Sequence, residues 1–355
     1  MQVLQIKAIS GQNRMVLVGL FLLLLAVLVL SLQVGAVKIT ATEAVAILMH
    51  QLGGSNTGFT RQQEVVLLSI RLPRLVLGMV VGGALGVAGA SLQGLFRNPL
   101  VEPGLIGVSS GAALFAVVAI IFGGSLTGIG ALLAGPVMLP VAAFAGGLLT
   151  TLLTYKLGQR EGKVDITILI LAGIAINALA GALIGLCVYY ADDAALRSFT
   201  FWNMGDLGGA TWSRLGVALP MLLLPVLFLT QLGNPLNALA LGESEAYHLG
   251  VKVERVKYSV ILLSSMAVGA AVSLTGIIGF VGLVVPHILR MAFGPDHRLV
   301  LPGAVLTGAV VLVLSDLFSR TVVSPSELPI GIVTAMLGGP FFIWILINAK
   351  NKRIL

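Results

Sequence analysis

The hydrophobic positions of this chain fall in long runs, with polar residues confined to the gaps between them. About 20 mostly apolar residues suffice to cross a bilayer as a helix. The clearest run covers residues 15–34; others cover 75–92, 105–121, 131–153, 166–189, 215–229, 260–275, 278–293, 301–317 and 330–347. The pattern predicts an all-α polytopic membrane protein with ten transmembrane helices, organised as one domain over residues 1–355. Several runs are short or broken by Gly and Pro. Lipid tolerates such breaks only where protein or a water-filled path surrounds the backbone, so they favour a transporter or channel over a plain anchor.

The gaps are mostly short. The exceptions are 35–64 and 191–214 on one side and 233–257 on the other. Within the first, residues 37–51 carry apolar positions at helical spacing and predict a helix on the outer surface. The segment 1–14 followed by an apolar run could be a signal peptide, but the run is longer than the usual h-region of about 7–15 residues, so a retained first span is expected.

Charge then sets orientation, because Lys and Arg collect on the cytoplasmic side. Ten spans put Lys7, Arg14, Arg97, Lys156, Arg160, Lys163, Lys252, Arg255, Lys257, Arg290, Arg298, Lys350, Lys352 and Arg353 on the side of the termini. The other side receives Lys38, Arg61, Arg71, Arg74, Arg197, Arg214 and Arg320. The excess predicts cytoplasmic termini.

Composition agrees. Charged residues make up 10% of the chain and hydrophobic ones 57%, with a mean hydropathy of +1.05. A soluble domain carries about 25% charged residues, so lipid is the main solvent here. The 44 glycines suit close helix packing in a membrane. The net charge of +7 comes from scattered cations, with no stripe to follow phosphates, so no nucleic-acid partner is expected.

Several chemistries are missing from the sequence. There is no GxxxxGK[ST] loop to bind ATP, no HExxH and no CxxC. The lone Cys187 excludes a disulfide within the chain, and the four histidines are far apart, so no metal site is expected. Intramembrane acids in a row would mark an ion relay; Asp316 is the main candidate. It lies four residues before Arg320, one turn away, where the two can pair. Energy is therefore expected from a partner, with an ion-coupled secondary transporter as the alternative of another class.

Certain segments are too structured for ordinary loops: RLPR at 71–74, RNPLVEPGLIGVSSGAA at 97–113, LAGIAIN at 171–177, GESEAYHLGV at 242–251, GFVGLVVPHILR at 279–290, GPDHR at 294–298 and ELPIG at 327–331. Pro99 and Pro103 prevent regular helix, and Gly104 and Gly107 permit tight backbone. The 242–251 segment reads as a short amphipathic helix, with Glu243, Glu245 and His248 on a polar face and Ala246 and Leu249 on a less polar one.

In this order the segments closely resemble the FecCD/BtuC-like permeases, the membrane subunits of binding-protein-dependent importers for haem, iron-siderophores and cobalamin. The resemblance covers residues 71–347. It implies a type II ABC importer permease fold, a homodimer with the pathway on its two-fold axis, two ATP-binding-cassette ATPase subunits and a periplasmic binding protein. ATP would be bound by the ATPase partner, with no cofactor held permanently. By the same resemblance Arg71, Arg74 and Arg320 are expected to dock the binding protein, although arginines there could also simply snorkel to the headgroups. Asn98 and Leu100 match a cytoplasmic gate, or else a structural turn. A second constriction falls near 165–167, hence Ile166, where VDIT departs from the hydroxyl pair of some relatives. Gly242, Glu243, Glu245, His248, Leu249 and Gly250 match the ATPase-coupling element within 233–257; a solvated loop is the plainer reading.

For the cargo, ILAGIAINALAGALIGL at 170–186 and ADDAALRSFTFWNMGDLGGATW at 191–212 look nearest the haem (hemin) permeases. Haem is thus the expected transported substrate and a periplasmic haem-binding protein the expected partner, followed by ferric siderophore and cobalamin.

Overall fold

The computed structural model describes residues 11–35, 37–54, 58–123 and 137–352. The expectations placed on Lys7, Arg353, the rest of 1–10 and the first positions of the 131–153 run lie outside these residues. Fourteen helices are labelled here: α1 Gly11–Gln33, α2 Ala41–Gln51, α3 Arg61–Phe96, α4 Val108–Phe122, α5 Met138–Leu157, α6 Ile166–Tyr189, α7 Asp193–Asn203, α8 Trp212–Thr230, α9 Gly233–Leu241, α10 Glu243–His248, α11 Val253–Thr275, α12 Val281–Phe293, α13 His297–Ser319 and α14 Ile330–Lys352.

Seven of these, α1, α3, α5, α6, α8, α11 and α13, are long and apolar enough to cross a bilayer; α4, α12 and the apolar part of α14 are shorter. Each predicted run falls on one of these ten helices. Helix starts follow local chemistry. Thr40 and Thr60 form capping boxes with Glu43 and Gln63, and Asp165, Asp192, Thr211 and Asp296 accept from the first free N–H groups of α6, α7, α8 and α13. The turn Val66–Arg71 in α3 is widened to a π-type repeat just before Pro73, whose ring and missing N–H a regular turn would not accommodate.

The core is built around α3. Of its apolar window 83% is buried, against 17% for α1, which places α3 in the middle and α1 at the periphery. Its most extensive neighbour is α13. Gly82 and Gly308 let the two backbones touch, because a Cβ on either would run into the other's carbonyl.

Helix direction alternates, so the bundle has two ends. One holds α2, α7, the ends of α1 and α13 and the start of α3; the other holds α9, α10, the end of α3 and the starts of α6 and α11. The surface helix expected over 37–51 is α2, seated through Ile39, Ala44 and Ile47 on Leu67. Two features carried no expectation: α7, within 191–214, and a small hairpin pairing Gln159–Arg160 with Lys163–Val164.

Candidate functional site

At the α2 end, the three arginines are tied into the chain. Arg71 is buried and donates to the carbonyls of Leu32 and Val37, closing the end of α1 onto α3. Arg74, also buried, reaches Asp316 Oδ1 at 2.8 Å through Nε and Nη2, and Glu327 Oε2 at 2.8 Å through Nη1. Arg320 lies 3.3 Å from Asp316 Oδ2 and donates to the carbonyl and hydroxyl of Ser31 at 2.8 and 2.7 Å. The pair read from the four-residue spacing of Asp316 and Arg320 is present, and Arg74 enlarges it. One buried carboxylate is thus held between two guanidiniums, while Glu327 keeps 46% of its side chain exposed. Lys38, Arg61, Arg197 and Arg214 are the exposed cations of this end.

At the other end, α9 and α10 form an elbow at Gly242, whose φ of +138° suits glycine and whose Cβ would strike the Glu245 carboxylate. The buried Lys257 of α11 anchors the elbow. Its Nζ lies 2.8 Å from Glu243, 3.1 Å from Glu254 and 2.9 Å from the carbonyl of Val164. Glu254 in turn accepts from the N–H of Val164 at 2.9 Å, so the hairpin belongs to the same cluster. Glu245, His248, Leu249 and Gly250 are exposed, with Tyr247 72% exposed beside them. The expected two faces are redrawn: Ala246 alone is buried, and Leu249 stands outside with the polar residues. Residue order hid this, because Gly250 turns with φ +83° and breaks the helical face after Leu249.

Asn98 and Leu100 share one turn, in which Asn98 Oδ1 accepts from the N–H of Leu100 at 2.9 Å. Arg97, left-handed at φ +49°, ends α3 before it. Ile166 begins α6 at the same end and packs on the core. The segment 97–107 is more than a turn. Asn177 donates to the carbonyl of Gly104 at 3.0 Å, and Gly173 meets the backbone of Leu105. Asn177 is eleven residues into α6, about 16 Å from its start at 1.5 Å per residue. The segment therefore climbs back into the bundle before α4 begins.

Its backbone groups are satisfied there, as burial in a bilayer requires. Buried Gln93 donates to the carbonyls of Val101 at 3.2 Å and Gly282 at 3.3 Å, and accepts from Arg290. Thr150 donates to the carbonyl of Gly107 at 2.9 Å. Glu102 accepts from the N–H of Phe280 at 3.2 Å. Phe280 sits at φ +67°, a conformation that costs a bulky residue about 1–3 kcal/mol and persists only where its surroundings fix it. Sequence reasoning assigned no role to Gln93, Glu102 or Asn177. The available signal was an amide or carboxylate in or beside an apolar run.

The start of α13 completes this end. Asn237 of α9 donates to Asp296 Oδ1 at 2.7 Å, and its own Oδ1 accepts from the N–H of His297 at 2.9 Å. The hydrogen bonds of Arg298, with that of Asn237, hold the Asp296 carboxyl down to about 2, well below the usual carboxylate range. Among the described residues no three His, Cys, Asp or Glu side chains gather as a metal site.

Comparison with known proteins places this geometry in context. The model of the FecCD transport family matches residues 23–348. The hemin transport system permease protein of Yersinia pestis is 47% identical over 299 residues, covering 84% of this chain and 88% of that one. The vitamin B12 import system permease protein of Vibrio vulnificus (strain CMCP6) is 42% identical over 292 residues, covering 82% and 85%. A solved inward-facing metal-chelate type ABC transporter superposes with a TM-score of 0.80 at 34% identity, covering 94% of this chain and 99% of that one.

Proposed function

This chain belongs to the FecCD transport family, as a multi-pass inner-membrane permease subunit of an ATP-binding-cassette importer whose ATPase is a separate subunit, and from that premise we propose that its cargo is haem. The observation that carries the choice is the 47% identity to a hemin permease over most of both chains. Cobalamin is the second reading, favoured by the 42% identity to a vitamin B12 permease.

In this reading one permease domain of ten spans, with cytoplasmic termini, pairs with a second copy. The pathway runs along the two-fold axis and opens alternately to either side. Support comes from α6 and α14, which leave broad apolar faces uncovered, including Leu171, Ile174, Leu179, Met336, Leu337 and Trp344. A periplasmic haem-binding protein delivers the cargo at the α2 end. Arg71, Arg74 and Arg320 serve docking from within: a carboxylate of the binding protein displaces the half-exposed Glu327 from Arg74, while Arg71 and Arg320 hold the rim in shape. Two ATPase subunits dock on the elbow formed by Gly242, Glu243, Glu245, His248, Leu249 and Gly250. Asn98, Leu100 and Ile166 narrow the cytoplasmic exit.

The test is haem uptake into proteoliposomes containing the permease and its ATPase, with ATP inside, binding protein outside, and cobalamin or ferric siderophore as competitor. ATP-dependent haem uptake supports the reading. Transport of a competitor with no haem uptake reassigns the cargo. Uptake without ATPase or ATP overturns the importer mechanism.

A further inference from the structure

Helix α12 is short. Its 13 residues rise about 20 Å, against the roughly 30 Å hydrocarbon core of a bilayer. It therefore begins inside the bundle, and its two ends meet two different pieces of machinery. Its buried start lies against the re-entrant 97–107 segment, through Glu102 accepting from Phe280 N–H and through Gln93, which holds Val101 and Gly282 together. Its other end turns through Gly294 and Pro295 into Asp296 and His297, the two residues that Asn237 of α9 grips. The link from α11 into α12 contains two left-handed residues, Gly276 at φ +69° and Phe280 at φ +67°, so it is shaped as a joint rather than as continuous helix.

We propose that α12 is the strut that carries movement of the ATPase-docking elbow to the gate segment, with Asn237 and Glu102 as the positioning residues at its two joints. The inference rests on the importer reading above and on Asn98 and Leu100 being the gate. Displacement of α9 pulls on Asp296 and His297, α12 moves with them, and Glu102 and Gln93 oblige the 97–107 backbone to follow. Glu102 does its part as a hydrogen-bond acceptor, which a glutamine can replace and an alanine cannot.

The experiment measures haem moved per ATP hydrolysed by the reconstituted complex, for wild type, Glu102→Gln, Glu102→Ala, Asn237→Ala and the double alanine variant. The alanine variants are expected to lose about tenfold in this ratio, Glu102→Gln to stay near wild type, and the double variant to fall no further than either single one, since two breaks in one linkage do not add. A second readout guards against a merely structural loss. In a Cys187→Ser background, Leu100→Cys is labelled with an impermeant thiol reagent from the ATPase side, with and without vanadate-trapped nucleotide. Nucleotide is expected to change the labelling rate several-fold, and Glu102→Ala to abolish that change. A wild-type ratio in Glu102→Ala, equal loss in Glu102→Gln, or losses that multiply in the double variant overturn the strut. Absence of ATP-dependent haem uptake by the wild type overturns the importer reading beneath it, so the two failures are distinct.

Discussion

Lys257 holds its ammonium 2.8 Å from the Glu243 carboxylate, joining the long α11 to the first turn of the short α10. The lysine side chain is 3% exposed and the glutamate 42% exposed, so the elbow proposed to meet the ATPase is fixed from beneath by a charge that water barely reaches. Glu254 and the Val164 carbonyl complete the anchor.

Replacing this lysine separates anchoring from folding. In Lys257→Met the half-exposed carboxylates hydrate, so the chain itself loses only about 1–2 kcal/mol. The elbow loses its fixed position, and retention of the ATPase is expected to weaken about tenfold, equivalent to roughly 1.4 kcal/mol. Copurification and titration of ATPase against permease in nanodiscs check this. Unchanged affinity would show that the elbow holds its shape without the anchor.

The Asp316 carboxylate is the counter-charge for Arg74 and Arg320 together. Asp316→Ala leaves Arg320 without a carboxylate and Arg74 with only the half-exposed Glu327, and loss of one partner of a buried pair costs about 3–5 kcal/mol. Thermal unfolding in detergent is expected to show a large loss for Asp316→Ala and a smaller one for Asp316→Asn, which keeps the acceptor. Equal midpoints for all three proteins would contradict the assignment.

Acid should act on the α9–α13 junction in a defined window. Asp296 has its carboxyl lowered from 3.8 to about 2 in the folded chain. A depressed carboxylate stabilises fully above its unfolded pKa, and the contribution is lost as pH falls toward the folded value. The difference in melting temperature between wild type and Asp296→Asn is therefore expected to be constant from about pH 8 to 5 and to shrink from about pH 4 downward. A difference that grows on acidification would reverse the sign and refute it.

The contact between Gly82 and Gly308 is a backbone contact. Gly308→Ala places a methyl against the Gly82 carbonyl, and overpacking of this kind costs about 1–3 kcal/mol. Gly181→Ala, on α6 where an added Cβ meets nothing, serves as the matched control and should leave stability unchanged. Differential scanning of both variants tests the pair.

Much of this architecture is written in the chain because lipid imposes a simple code. Long apolar runs mark ten apolar helices among the described residues, seven of them long enough to cross a bilayer, and the spacing over 37–51 marks α2. The elbow was legible as a polar interruption, and the pair of Asp316 with Arg320 as a one-turn spacing. What escaped depends on partners distant in sequence. The Pro and Gly residues of 97–107 say that the segment is not a regular helix, but its depth is set by Gln93, Asn177 and Phe280. Burial of Arg71 and Arg74 was equally unreadable, since an arginine at a helix end looks the same whether it faces water or a carboxylate 242 positions away. Helix α7 lies in a stretch too polar to register as a span, although Asp192 caps it and its own Phe199 and Trp202 stack on each other.

That 242-residue separation also sets a schedule for biogenesis. Synthesis proceeds at about 5–20 residues per second, so Asp316 leaves the ribosome roughly 10–50 s after Arg74. During that interval α3 is already made while its cation lacks the carboxylate it ends up beside. A chain cut short before α13 never supplies it. The helix that completes the bundle's charge is thus among the last made: until α13 arrives, a bundle that already contains α3 carries an arginine without the Asp316 carboxylate.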